Sequence, residues 1–178
     1  MDFKKKIKTT KKLSSQEVNK ILKLKKTFWK YSLKSHKNWF NQNMQQNDKN
    51  ICLFTKNNLI GYVALRIRKI QFVNGKLILK KKYFLFDTLI IHKDFRKKKL
   101  SKLLMQEIFK LSKIHKIPLI LICEKKTIAY YNKFNWLILN KKNVKILDHK
   151  NLKSIMIYKY GMTKKNRLLN CKLNIFFK

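Results

Sequence analysis

Between Tyr83 and Leu111 an apolar run passes through a short basic turn and straight into an amphipathic helix. Phe84-Leu85-Phe86 and Leu89-Ile90-Ile91 flank Asp87 and Thr88; His92-Lys93-Asp94-Phe95 and Arg96-Lys97-Lys98-Lys99 form the turn. Leu100, Leu103, Leu104, Ile108 and Leu111 then recur at helical spacing. A strand that feeds a helix in this way belongs to an α/β unit, because the chain must cross over before it can pair in parallel. It also builds an anion site: the first helical N–H groups have no intrahelical partner and carry the positive end of the dipole. Four cations around a helix N-terminus oppose that dipole, so a phosphate or pyrophosphate ligand explains them better than a solvated charge cluster.

The rest of the chain supports one α/β domain with a single mixed, mostly antiparallel sheet, a central parallel splayed pair and flanking helices. Ser14 three residues before Glu17 is a capping-box spacing, followed by Val18, Ile21, Leu22, Lys25, Phe28 and Trp29 in helical register. A second short helix holds Trp39, Phe40 and Met44. Residues 51–54 and 59–67 read as strands, and Val73-Asn74-Gly75-Lys76 is a two-residue hairpin signal between Ile70–Val73 and Lys76–Leu79. Tyr83–Ile91 reads as the central strand, and Pro118 introduces another over 119–123. A short helix spans about 126–134, and 144–147 with 154–160 read as a closing pair of strands. Residues 1–12 are a basic lead-in read as loose, 13–160 the domain, and 161–178 a basic extension without an assignment.

Lys and Arg total 45 against 8 acids, a net charge of +37. Taken alone this suggests nucleic acid, an anionic surface or acidic substrates. Yet only Ala64 and Ala129 are alanine, and Lys, Asn, Ile and Phe abound, a profile that AT-rich codon usage writes. With 45% hydrophobic residues the chain can bury a core. Cys52, Cys123 and Cys171 have no CxxC spacing, which argues against a disulfide framework and fits a cytoplasmic location. The histidines lack metal-site spacing, so no metal is expected. No apolar run is long enough for a membrane span, and no secretory signal is read at the N-terminus.

The motifs resemble the GNAT superfamily of acyl-CoA-dependent N-acetyltransferases. The family's strand, Val-x-Pro-x-x-Arg/Gln-x-x-Gly-x-Gly/Ala turn and helix read here as Ile91-His92-Lys93-Asp94-Phe95-Arg96-Lys97-Lys98-Lys99-Leu100-Ser101. Its downstream Phe-Tyr-x-x-x-Gly-Phe reads Tyr130-Tyr131-Asn132-Lys133-Phe134-Asn135-Trp136, and its Ile-x-Gly-x-x-x-Leu-Arg resembles Leu59-Ile60-Gly61-Tyr62-Val63-Ala64-Leu65-Arg66. The resemblance covers roughly residues 13–160.

It implies acetyl-CoA as co-substrate. Arg96, Lys97, Lys98, Lys99, Leu100 and Ser101 would receive the pyrophosphate. Leu89 and Ile91 would hydrogen-bond the pantetheine arm in a slot between strands 83–91 and 119–123. Lys99 and Ser101 replace the family's glycines; a positive φ at Lys99 would cost about 1 kcal/mol. By the same resemblance Tyr131 is the general acid for the departing thiolate, with Tyr130 the more plausible core residue. Glu124 stands where the family often has Asn: it binds the arm, acts as a base or ends the strand.

Asp87, a rare acid interrupting an apolar strand, is a candidate base or a hydrogen-bonding residue at the strand splay; His92 and a water relay are the alternatives. No Ser or Cys nucleophile is paired with a base, so attack would be direct, in a ternary complex. The acceptor is a small-molecule primary amine. The segments around Trp39-Phe40, Asn47-Asp48 and Leu85–Leu89 resemble family members thought to act on amino sugars. A basic nucleic-acid-binding protein and an inactive GNAT-like binding module are the rival readings. The sequence does not set the oligomeric state.

Overall fold

The computed structural model describes residues 2–148, 153–158 and 172–178. Among these, nine strands lie in a sheet of order β1-β2-β3-β4-β5-β8-β6, with β9 paired to β3 and β7 to β9. The strands are β1 Lys4–Thr9, β2 Lys49–Thr55, β3 Asn58–Asn74, β4 Leu77–Ile91, β5 Leu119–Cys123, β6 Leu137–Ile138, β7 Val144–Ile146, β8 Ser154–Tyr158 and β9 Lys172–Ile175. The helices are α1 Ser15–Phe28, α2 Leu33–Asn43, α3 Leu100–His115 and α4 Ile128–Asn132. Most pairings are antiparallel; β4 and β5 run parallel, joined through α3. The chain divides into two compact units, residues 1–66 with 87–110 and residues 67–86 with 111–178.

In the first unit α1 and α2 cover the β1-β2-β3 segment. The capping box forms as the spacing predicts: Glu17 N donates to Ser14 Oγ at 3.2 Å and Ser14 N to the Glu17 carboxylate at 2.9 Å. Ile21, Leu22 and Leu24 pack with Phe40, Met44, Tyr62 and Ile90. Gly61 is required where it stands. A Cβ there would lie 3.0 Å from Ile91 Cδ1 and 3.2 Å from both Leu104 Cδ1 and Leu53 Cβ, so its absence lets α3 lie close on β3.

The second unit has its own core, in which Ile70, Tyr83, Leu85, Ile120 and Ile157 meet Leu173, Ile175 and Phe177. The β4–β5 ladder pairs Phe84–Phe86 with Leu119–Leu121 and, among the described residues, ends there, although β4 continues to Ile91 and β5 to Cys123.

Three sequence expectations are corrected, and one unassigned segment gains a strand. Residues 4–9 are not a loose lead-in: they form edge strand β1, running from Lys4 opposite Phe54 to Thr9 opposite Lys49. The hairpin arms and their neighbouring strands are continuous in β3 and β4. Residues 144–146 and 154–158 do not pair with each other; β7 lies parallel to β9, and β8 pairs with β5 and β6. Part of the unassigned C-terminal segment is β9. Residues 161–171 and Tyr160 lie outside the described residues, as do His149 and Cys171.

Candidate active site

In the first unit β4 leads into the basic turn. His92 N donates to Ile60 O at 2.8 Å, fixing the strand end against β3. One 3-10 turn follows over Lys93–Phe95, and α3 begins at Leu100. Lys97 and Lys99 adopt positive φ, 62° and 56°, while Lys98 between them does not. Alternating hands along a short backbone segment turn successive N–H groups toward one point, a concavity that binds anions. The N–H groups of residues 97–101 have no hydrogen-bond partner among the described residues.

Arg96 is anchored rather than free. Its Nε donates to Ile91 O at 3.3 Å and its guanidinium lies 5.8 Å from the Phe28 ring centroid. The heads of Lys97, Lys98 and Lys99 are exposed, Leu100 is buried and Ser101 half-buried.

Upstream, Asp87 is half-buried and tied. Arg66 Nη1 donates to its Oδ2 at 3.1 Å, and Thr88 Oγ1 donates to its Oδ1 at 2.9 Å. Thr88 has φ 59°, a conformation β-branched residues rarely adopt, so the strand is irregular beside this carboxylate. Arg66 also donates from Nε to Asn43 O at 3.1 Å. Asp87 and Thr88 line a cavity of about 420 Å³ with Lys25, Trp29, Tyr31, Ser35, His36 and Trp39. Lys25 is buried on the apolar face of α1; burial, reinforced by Arg66 and opposed by Asp87, lowers its pKa to about 8. His92 Nδ1 lies 3.5 Å from Asp94 Oδ2, outside this lining.

In the second unit Tyr131 sits on α4 with its ring edge-on to Phe86 at 6.0 Å and near Trp136 at 6.1 Å. Burial pushes its hydroxyl well above the ordinary tyrosine range, which keeps the proton on at neutral pH. Phe134 N and Trp136 N both donate to Tyr131 O, at 2.9 and 3.4 Å, closing the turn after α4. Asn135 takes φ 61° there, and Trp136 is buried behind it. Tyr130, expected in the core, is 36% exposed. Glu124 is fully exposed; Lys126 Nζ donates to it at 2.9 Å, and this bond holds its carboxyl below the usual range. Its backbone carbonyl accepts from Thr127 N, so it ends β5 and opens the next turn.

A family model for the acetyltransferase (GNAT) family matches residues 17–136. The chain belongs to the GNAT family. It is a GNAT-type acyl-CoA-dependent N-acyltransferase. Its fold is similar to that of the GNAT family N-acetyltransferase YhbS of Escherichia coli, solved in complex with CoA, at TM-score 0.68 and 12% identity, covering 100% of this chain and 92% of that one. It is similar to an acyl-CoA N-acyltransferase from Pseudomonas aeruginosa at TM-score 0.63 and 12% identity, covering 88% and 99%. It also resembles the PaiA N-acetyltransferase of Thermoplasma acidophilum in complex with coenzyme A, at TM-score 0.54 and 18% identity, covering 90% and 100%. No curated protein matches the sequence significantly.

Two of the GNAT glycine positions therefore keep glycine's backbone without glycine. Lys99 and Asn135 both stand in the left-handed region. Sequence reasoning missed the aromatic cavity. Its one signal was Lys25 inside the apolar stripe of α1, a charge on a face that packs inward. Among the described residues no helix is long and apolar enough to cross a membrane.

Proposed function

We propose that this GNAT enzyme moves an acetyl group from acetyl-CoA to a primary amine, by direct attack in a ternary complex. The observation that carries the reading is the turn at 96–101, with alternating φ, unpartnered N–H groups and exposed lysine heads ahead of α3. Those groups suit the CoA pyrophosphate. Leu89 and Ile91, past the end of the β4–β5 ladder, would offer backbone groups to the pantetheine arm.

The amine nitrogen attacks the thioester carbonyl carbon and the C–S bond breaks. The thiolate takes a proton from Tyr131 and the amine gives one to a base. Asp87, which lines the aromatic cavity, is our assignment for that base. Backbone N–H groups would hold the tetrahedral oxyanion. Glu124 has no part in this reading, because its carboxylate is held by Lys126 at the surface. Buried thiols at Cys52 and Cys123 accord with action in the cytoplasm.

Calorimetric titration with acetyl-CoA, followed by CoA-release assays over amino sugars, polyamines and peptide N-termini, tests the reading. Saturable binding with turnover on an amine is expected. Absence of both heat and thermal stabilisation at saturating acetyl-CoA overturns it.

A further inference from the structure

The cavity beside Asp87 contains a buried cation without an anion of its own. Lys25 is 4% exposed, and among the described residues its ammonium makes no hydrogen bond or ion pair. What it has instead are ring faces: Nζ stands 3.5 Å from the centroid of Trp39 and 5.7 Å from that of Trp29. Lysine is almost never buried this deeply unless paired, and a π-face replaces only part of its lost hydration.

The acid in the lining is already engaged. Asp87 is shared between Arg66 and Thr88, and Arg66 Cζ itself lies 5.8 Å from the ring centroid of Trp39. The remaining titratable side chains of the lining are Tyr31 and His36, and His36 Nε2 is 3.1 Å from Trp29 O. Asp87 is bonded to Arg66 and Thr88, and among the described residues no carboxylate bonds Lys25. A bare ammonium ligand entering this space meets repulsion, whereas an anionic group meets an ammonium short of solvation. The indole and phenol walls suit a flat apolar or sugar-ring body.

We infer that the acceptor amine also carries a carboxylate or a phosphate, and that Lys25 Nζ holds that anion against Trp39. The inference rests on the acetyl-transfer reading, since it takes this cavity as the acceptor's.

The test uses matched pairs of amines in the CoA-release assay. An ω-amino acid is set against the alkylamine of equal length, and an amino-sugar phosphate against the free amino sugar. The wild-type enzyme is expected to favour the anionic member of at least one pair by roughly tenfold in kcat/KM, and the favoured pair tells carboxylate from phosphate. In Lys25→Met that ratio falls to near one, whatever happens to the absolute rates, and Lys25→Arg restores a preference. Turnover with equal rates in both pairs overturns the inference while leaving acetyl transfer standing, as does a ratio unchanged in Lys25→Met. Failure to turn over any amine or to bind acetyl-CoA removes both.

Discussion

Arg66 Nη1 lies 3.1 Å from Asp87 Oδ2, with the arginine side chain nearly buried and the carboxylate a quarter exposed. Neighbouring strands β3 and β4 each supply one charge, and loss of the acid would take from the nearly buried Arg66 its bond to Asp87 while its bonds to Asn43 stay. Removing one member of such a pair leaves an uncompensated charge. Asp87→Asn should therefore destabilise the protein by about 2 kcal/mol, less than for a fully buried pair because Asp87 meets solvent. Urea unfolding of both single variants and Arg66→Met/Asp87→Asn should show coupling, with the double variant less destabilised than the singles add up to. If Asp87 is the base, Asp87→Asn also lowers kcat at neutral pH, and the loss shrinks as the amine deprotonates at higher pH.

Lys99 holds φ 56° where the family has glycine. A left-handed conformation costs a side-chain-bearing residue about 1–2 kcal/mol, and glycine returns part of this gain through its freer unfolded chain. Lys99→Gly should leave stability equal or higher by up to about 1 kcal/mol, whereas Lys99→Val should lower it by more than 1 kcal/mol. Calorimetry with acetyl-CoA separates backbone from charge: binding retained in Lys99→Gly but weakened in Lys99→Val places the grip in the backbone concavity.

Tyr131 is expected to act through its hydroxyl. Tyr131→Phe keeps the ring against Phe86 and Trp136, so thermal stability should change little. Loss of a general acid should lower kcat by about a hundredfold with little change in acetyl-CoA affinity. An unchanged kcat would make Tyr131 a packing residue.

Lys25 makes stability depend on pH with a definite sign. Its folded pKa, lowered to about 8 chiefly by burial, lies below the unfolded value of 10.5. Between those values the unfolded chain binds more protons, so stability from this group rises with pH. The penalty for keeping a buried ammonium is fully present below pH 8 and fades toward pH 10.5. It amounts to about 3 kcal/mol at most. Lys25→Met should therefore stabilise the protein at pH 7, and the wild-type minus variant difference should shrink across that window. Chemical denaturation of both proteins from pH 7 to 10.5 measures it.

Local patterns carried much of the fold. The Ser14–Glu17 box and the strand-turn-helix from Tyr83 to Leu111 are written in short-range chemistry and form where their residues indicate; the hairpin forms too, but its turn falls one residue later than expected, at Gly75-Lys76. The β1 and β9 pairings were not legible. Lys4–Thr9 is mostly charged, and its strand state comes from backbone hydrogen bonds to β2 rather than from any apolar alternation. The parallel β7–β9 pair joins segments distant in sequence, and register between such segments leaves no local trace.

What the sequence by itself determined is the basic turn ahead of α3, because a bend at a helix N-terminus owes its form to neighbours along the chain. What only the tertiary structure decided is the cavity in which Lys25, Trp39 and Asp87 meet. Those residues come from α1, α2 and β4, and only packing strips the lysine of its water and sets its ammonium against a ring face.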